Sequence, residues 1–308
     1  MRALVVVNPH ATTTSERTRD VLISALRHDL ELHVVETTHR AHAVELGRQA
    51  RTQKLDLVIA VGGDGTVNEL INGMLDGEHG SDVPAIGIVP GGSTNVLARN
   101  LGIPEDPVEA TGLLLDALRE GRRQPLGLGR LDQRYFTFAA GVGLDADVVR
   151  TVEELRAAGR KSTHALYVRT AVRRLFAQPD RRHSRITITA AGHEGEALPP
   201  VAVAVISNCS PWTYLGSRPL RPTPRASFDS GLDLFGLSGL GLIPTVKSVA
   251  QMTTRRGPRG RRVVSLHDQH ELTLHSEQPM PVQLDGDYIG ERTSVTVSSV
   301  PNAIGVAY

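Results

Sequence analysis

The chain has 308 residues, which predicts one large or two modest domains. Apolar residues at 40% and charged residues at 22% exclude disorder, and 34 basic against 33 acidic residues exclude the overall charge excess that draws nucleic acid. A lone cysteine, Cys209, excludes an internal disulfide framework, and the longest apolar run, Val201 to Ile206, is too short to cross a bilayer. A cytoplasmic protein is expected, with no nucleic acid partner.

The first third alternates strands and helices. Strands are predicted at Leu4–Asn8, Glu31–Glu36, Leu55–Val61 and Ala85–Val89. Helices are predicted at Ser15–Leu30, Ala41–Thr52, Thr66–Asp76, from Ser93 or Thr94, and at Pro107–Glu120. This spacing means parallel βαβ units in a doubly wound α/β sheet. From about Gln124 the pattern turns β-rich, with strands at Arg134–Ala140, Arg185–Ala190, Ala197–Ser207, Leu232–Leu237, Glu271–His275, Met280–Leu284 and Ser294–Ser298. Two helices interrupt it, roughly Ala146–Gln178 and Ile243–Thr253. The expected fold is therefore α/β with two domains: residues 1–124, then a β-sandwich-type domain over 125–290. Charge is uneven: residues 218–262 carry a net +7 and residues 263–308 a net −5.

Two glycine-rich loops carry the chemistry. Val61-Gly62-Gly63-Asp64-Gly65-Thr66 runs from an apolar strand through three glycines into a helix. Glycines let backbone N–H groups turn toward an anion, and the helix N-terminus favours phosphate. Asp64 would meet the metal of a nucleotide or organise water around it. Neither the Walker pattern nor the dinucleotide fingerprint is present. Pro90-Gly91-Gly92-Ser93-Thr94-Asn95 occupies the same place one βα unit later, so the two loops line one crevice at the strand ends. Asn8-Pro9-His10-Ala11-Thr12 adds side-chain donors to that edge. The twelve histidines lack zinc spacing, and His267, His270 and His275 read as surface positions.

Gly62–Thr66 with Asn68-Glu69, together with Pro90–Asn95 and Ala98-Arg99, resembles the catalytic domain of diacylglycerol kinases, including bacterial soluble lipid kinases and the related sphingosine kinases. The GGDGT loop alone is shared with NAD kinases and phosphofructokinases. The resemblance continues through Gly141-Val142-Gly143-Leu144-Asp145-Ala146, Asn208, Gly216, Pro224-Arg225-Ala226 and Leu284-Asp285-Gly286-Asp287. It implies a phosphofructokinase- or NAD-kinase-like nucleotide domain followed by a lipid-substrate domain, with residues 291–308 packing back on the first. It implies ATP and Mg²⁺, with nucleotide contacts from Asn8, Thr12, Thr37, the Gly62–Asn68 loop (Gly62, Gly63, Asp64, Gly65, Thr66, Asn68) and Thr94. Asp285 matches the family's general base, although an Asp-Gly hairpin turn explains the same residues. The sequence departs from the family pattern at Thr12 and Ala41, where glycine is usual. Ser230 replaces a metal-binding aspartate, which leaves Asp229 as the candidate for a second metal.

The implied activity is transfer of the γ-phosphate of ATP to a lipid hydroxyl, diacylglycerol foremost. NAD kinase and a catalytically silent nucleotide- or lipid-binding protein are the alternatives. Arg255, Arg256, Arg259, Arg261 and Arg262 form an exposed basic stretch suited to an anionic membrane surface, which implies reversible association with the inner face of the membrane. Monomer and homodimer both remain open.

Overall fold

The computed structural model describes residues 1–9, 11, 16–76, 83–157, 170, 185–191 and 198–308. The expectations for Thr12, for Ala197 and for most of the helix after residue 157 lie outside these residues. Two compact units emerge. The first holds residues 1–128, 133–135 and 301–308, and the second holds 129–132 and 136–300.

The first unit is built on parallel strands: β1 (Arg2–Val7), β2 (Glu31–Glu36), β3 (Leu57–Gly62) and β4 (Ala85–Pro90). Their order is β2-β1-β3-β4, with β4 also taking the end of β15 (Asp287–Ala307) in parallel. Every residue of β3 and β4 is buried, as expected of strands covered on both faces. The covering helices are α1 (Glu16–Asp29), α2 (His42–Thr52), α3 (Asp64–Leu75), α4 (Val96–Asn100) and α5 (Pro107–Arg119). In α1, Leu22 and Leu26 face inward, one helical turn apart. In α5, the Asp106 carboxylate caps the N–H groups of Val108 and Glu109 at 2.9 and 3.0 Å, and Pro107 opens the first turn. The core gathers Val5, Leu26, Ile59, Val89, Leu114 and Ala307.

The second unit is mainly antiparallel. Its strands are the end of β5 (Gln124–Leu131), the last residue of β6 (Arg134–Phe136), β7 (Ala139–Gly143), β8 (Thr187–Ala190), β9 (Val203–Ser207), β10 (Thr213–Leu215), β11 (Arg218–Leu220), β12 (Leu232–Leu237), β13 (Val263–Gln269), β14 (Glu271–Leu284) and β15 up to Val300. Strand order runs β13-β12-β9-β7-β14-β15. Two helices, α6 (Leu144–Ala157) and α7 (Leu242–Met252), complete its described elements. The two short strands predicted before and after residue 278 are one long strand, β14. A register shift between His275 and Met280 lets its first half pair with β8 and its second half with β7. The core holds Phe136, Ile206, Leu234, Leu272, Val282 and Val297.

The predicted α/β class with a parallel first sheet is what the chain forms. Residues 291–300 stay with the second unit, and the return to the first begins at Pro301. The helix predicted from Ser93 or Thr94 begins at Val96, because Asn95 takes a left-handed backbone (φ 47°) just before it.

Candidate active site

In the first unit, three strand ends are bonded edge to edge. The Asn8 N–H donates to the Val61 carbonyl (3.0 Å), and the Gly91 N–H donates to the Gly62 carbonyl (2.8 Å). The Asn8 side chain donates to Thr66 Oγ1 (3.2 Å), tying β1 to the first turn of α3. At Gly63 and Gly92 the two glycine loops touch: a Cβ on Gly92 would sit 2.8 Å from Gly63 Cα, so no larger residue fits there without moving backbone. Helix α3 begins at Asp64, two residues before the predicted start. Its N-cap is Gly63, which supplies no side-chain hydrogen bond; the Gly63 carbonyl accepts from the Thr66 N–H (3.0 Å). That arrangement suits an anion.

Asp64, expected at the metal of the nucleotide, holds the neighbouring loop. Its Oδ2 accepts from the Val96 N–H (2.9 Å) and its Oδ1 from the Leu97 N–H (3.2 Å), capping α4 from the neighbouring loop. Asn95 locks the second loop by accepting from the Gly92 N–H and donating to the Gly92 carbonyl, at 2.9 and 2.8 Å. Asn68, expected at the nucleotide, is only 2% exposed and donates to the Tyr135 carbonyl (3.1 Å). Asn72, which ends the same Asn-Glu-Leu-Ile-Asn stretch, donates to the same carbonyl and accepts from the Tyr135 N–H (2.8 Å). Both asparagines therefore satisfy buried backbone.

Gly65 is exposed and Thr94 partly buried, both on the loop edge, while Thr37 extends β2 and donates its N–H to the Val7 carbonyl (2.9 Å). Beside Asn8 lies a cavity of about 170 Å³ lined by Asn8, Pro9, Ala11, Arg19, Glu36 and Val61. An Arg19–Glu36 ion pair (2.8 Å) spans two of the lining residues. This volume is below that of a whole-ligand pocket, so it suits part of a ligand.

In the second unit, Asp285 and Gly286 form the two-residue turn between β14 and β15, both with positive φ (49° and 84°), the pattern of a type I′ hairpin. The Asp285 carboxylate reaches the connection between β6 and β7. Its Oδ2 accepts from the Thr137 N–H (2.6 Å) and Thr137 Oγ1 (2.8 Å), and its Oδ1 from the N–H groups of Phe138 and Ala139 (3.0 Å each). Burial raises its pKa above the ordinary aspartate value, and these four donors pull it back part of the way. Asn208 holds the same connection from the other side: its side chain donates to the Thr137 carbonyl (2.9 Å) and its N–H to the Phe138 carbonyl (2.9 Å).

A second carboxyl supports the turn. Gln283 donates to Asp145 Oδ2 (2.8 Å) and accepts from the Gly286 N–H (2.8 Å). Burial pushes Asp145 up to about 6, with the Gln283 hydrogen bond opposing. A Cβ on Gly141 would lie 1.9 Å from Asp145 Oδ2, so glycine at 141 makes the space the carboxyl fills. The motif match at 141–146 signalled this residue pair without its purpose, and Thr137 and Gln283 carried no signal beyond their place next to matched residues.

Asp229 is exposed, with its N–H on Ser227 Oγ (3.3 Å). Among the described residues the group with metal-capable side chains close together is His39, His42 and Glu45, which includes neither Asp64 nor Asp229. There the Thr38 N–H donates to His42 Nδ1 (3.1 Å), which leaves the proton of the neutral ring on Nε2 and argues against a ligand role for that nitrogen. His267, expected on the surface, is partly buried with Nδ1 2.7 Å from Asp233 Oδ1. Cys209 is buried, as expected of a small apolar side chain.

The chain is similar to known proteins. Residues 2–131 match the family model of the diacylglycerol kinase catalytic domain. A diacylglycerol kinase of Bacillus subtilis (strain 168) is 38% identical over 108 residues, covering 35% of this chain and 33% of the relative. One from Staphylococcus saprophyticus is 32% identical over 158 residues, covering 50% of each. The chain thus matches half or less of the length of these curated relatives. A crystal structure of a diacylglycerol kinase from Bacillus anthracis str. Sterne superposes with a TM-score of 0.76 at 20% identity, over 100% of this chain and 96% of that one, a likeness of fold. Through residues 2–131, less than half of its length, the chain is similar to the diacylglycerol kinase catalytic-domain family.

Proposed function

We propose that the chain is an ATP-dependent lipid kinase that transfers the γ-phosphate of ATP to the free hydroxyl of diacylglycerol, giving phosphatidic acid and ADP. The observation that carries this reading is the pair of glycine loops in contact at Gly63 and Gly92, beside an α3 N-terminus without a side-chain cap, within a segment that matches the catalytic domain. Backbone amides there would hold the nucleotide phosphates, with Asn8, Gly62, Gly65, Thr66, Thr37 and Thr94 around them. Mg²⁺ would arrive with the nucleotide and neutralise phosphate charge. No step is assigned to Asp229, whose carboxylate is exposed.

Asp285 would take the proton of the attacking hydroxyl. Its raised pKa supports the role, since a more basic carboxylate removes a hydroxyl proton more readily. Its four accepted hydrogen bonds favour a second reading, a latch that only shapes the turn. The family match and the relatives favour the lipid kinase over NAD kinase. Association with an anionic membrane through Arg255 to Arg262 belongs to the same proposal. Among the described residues no helix is long and apolar enough to cross a bilayer.

The test is transfer of labelled γ-phosphate to diacylglycerol, phosphatidylglycerol, sphingosine and ceramide in mixed micelles, with NAD⁺ alongside. Label in diacylglycerol is the expected result. Label on NAD⁺ alone overturns the reading, and nucleotide binding without any transfer indicates a silent binding protein.

A further inference from the structure

Helix α7 is amphipathic in the reverse sense. Its inward residues are Ser248 and Met252, with Thr245 and Gln251 partly buried, while Leu242, Ile243, Val246 and Val249 stand 52%, 81%, 58% and 49% exposed. At 3.6 residues per turn these four cover an arc of about 120°. Half of the large exposed apolar residues among the described positions lie on this one helix, so they are not the scattered surface apolars every protein shows.

The surroundings of that face are cationic. Residues 242–262 contain Lys247, Arg255, Arg256, Arg259, Arg261 and Arg262 and no acidic residue. All six are exposed, and among the described residues none has an ion-pair partner. The segment after α7 runs back along it. The Arg259 N–H donates to Gln251 Oε1 (3.0 Å) near the C-terminal end, and the Arg262 guanidinium lies against Gly241, the N-cap, 3.1 Å from where a Cβ would stand. A cation at a helix N-terminus opposes the helix dipole unless an anion joins it. An apolar stripe flanked by unpaired cations matches the depth profile of an anionic bilayer surface, apolar inside and negative at the headgroups.

We propose that the outward face of α7 (Leu242, Ile243, Val246 and Val249) inserts into the lipid surface while the arginines that follow hold the headgroups. The inference rests on the lipid kinase reading only for its purpose, since a water-insoluble acceptor must be met at a surface. It names the element that enters the bilayer, and α7 lies in the same unit as Asp285.

The experiment is sedimentation of the full chain with phosphatidylcholine vesicles, with and without phosphatidylglycerol. It compares the combined variant Leu242→Ser, Ile243→Ser, Val246→Ser and Val249→Ser with a control changing the equally exposed Val21 and Val108 to Ser. Binding to phosphatidylglycerol vesicles should fall about tenfold or more in the α7 variant and stay level in the control. Its melting temperature, and phosphate transfer to a short-chain, monomeric diacylglycerol, should be unchanged. Unchanged vesicle binding, or an equal loss in the control, overturns the proposal. So does a dimer that the α7 variant converts to monomer while vesicle binding persists, since the face would then serve a second copy of the chain. Vesicle binding needs no ATP, so binding that follows the prediction in a protein that phosphorylates no lipid sustains the docking surface and removes only the kinase reading.

Discussion

Asp64 in the first unit and Asp285 in the second use a carboxylate in the same way, to hold the backbone of a neighbouring loop, and they differ in extent. Asp64 accepts from two amides at the head of α4, one on each oxygen. Asp285 accepts from three amides and a hydroxyl, two on each oxygen, which fills the roughly four lone-pair sites of a carboxylate. The first is a tie that sets the spacing of two glycine loops. The second is a group whose own charge state is under tension, since burial raises its pKa against four donors. To accept a proton, Asp285 must lose one of them, and Thr137 Oγ1 is the one on a rotatable side chain. A residue in a motif can thus fix geometry, react or do both, and the two carboxylates are told apart by substitution.

The sharpest test of that contrast is Asp285→Asn. A general base should cost about 10²- to 10⁴-fold in kcat, with KM for ATP held within a few-fold. A latch would lower stability and leave kcat per folded molecule near that of the parent. Because the base must be ionised, the acid limb of the parent kcat profile should lie above the ordinary aspartate range.

Asp64→Ala should break the comparison from the other side. It leaves the amides of Val96 and Leu97 without their caps, at a cost of about 2 kcal/mol in chemical denaturation. KM for ATP should rise because the two loops lose their spacing, and kcat should fall less. A variant of parental stability would mean that water replaces the carboxylate as cap.

A smaller effect is expected at Asp145, which props the Asp285 turn through Gln283. Its folded pKa of about 6 lies above the ordinary value of 3.8. The unfolded chain therefore ionises first, and the stability that the neutral carboxyl contributes is fully present below about 3.8 and lost as pH rises through about 6. Asp145→Asn keeps a neutral group of the same shape, so its melting temperature should change less than the parent's between pH 4 and 7. Parallel pH curves for the two proteins would place the titration elsewhere.

Much of the fold is legible in the sequence. The strands predicted at Leu55–Val61 and Ala85–Val89 form as the buried parallel strands β3 and β4, and the glycines after them read as an anion cradle. What the sequence withheld depends on contacts distant along the chain. The partner amides of Asp64 are more than thirty positions away and those of Asp285 more than 140. No local pattern marks Thr137 as the donor pair for a turn at 285. The same distance hides the bond at Asn68, whose side chain donates to the Tyr135 carbonyl 67 positions away. Helix α7 shows the limit of periodicity: the stripe at 242, 243, 246 and 249 predicts the helix, and only the fold reveals that the apolar side faces out.

The least of these effects concerns a third carboxylate tie. Glu69 Oε1 accepts from the Ala41 N–H (3.1 Å), joining α3 to the turn before α2. Ala41 holds a left-handed backbone, φ 66°, where an L-residue with a Cβ is strained by about 1–2 kcal/mol. The family pattern that the sequence resembles has glycine here, which would hold this left-handed backbone without a Cβ clash. Ala41→Gly removes the Cβ strain and adds chain entropy to the unfolded state, so the net gain should be about 0.5–1 kcal/mol. Catalysis should not change, because the tie lies on the helix flank and its acceptor stays in place. Chemical denaturation reads the gain directly. A loss of stability would mean that the turn relaxes out of the left-handed region in solution. The Glu69 tie would then be absent.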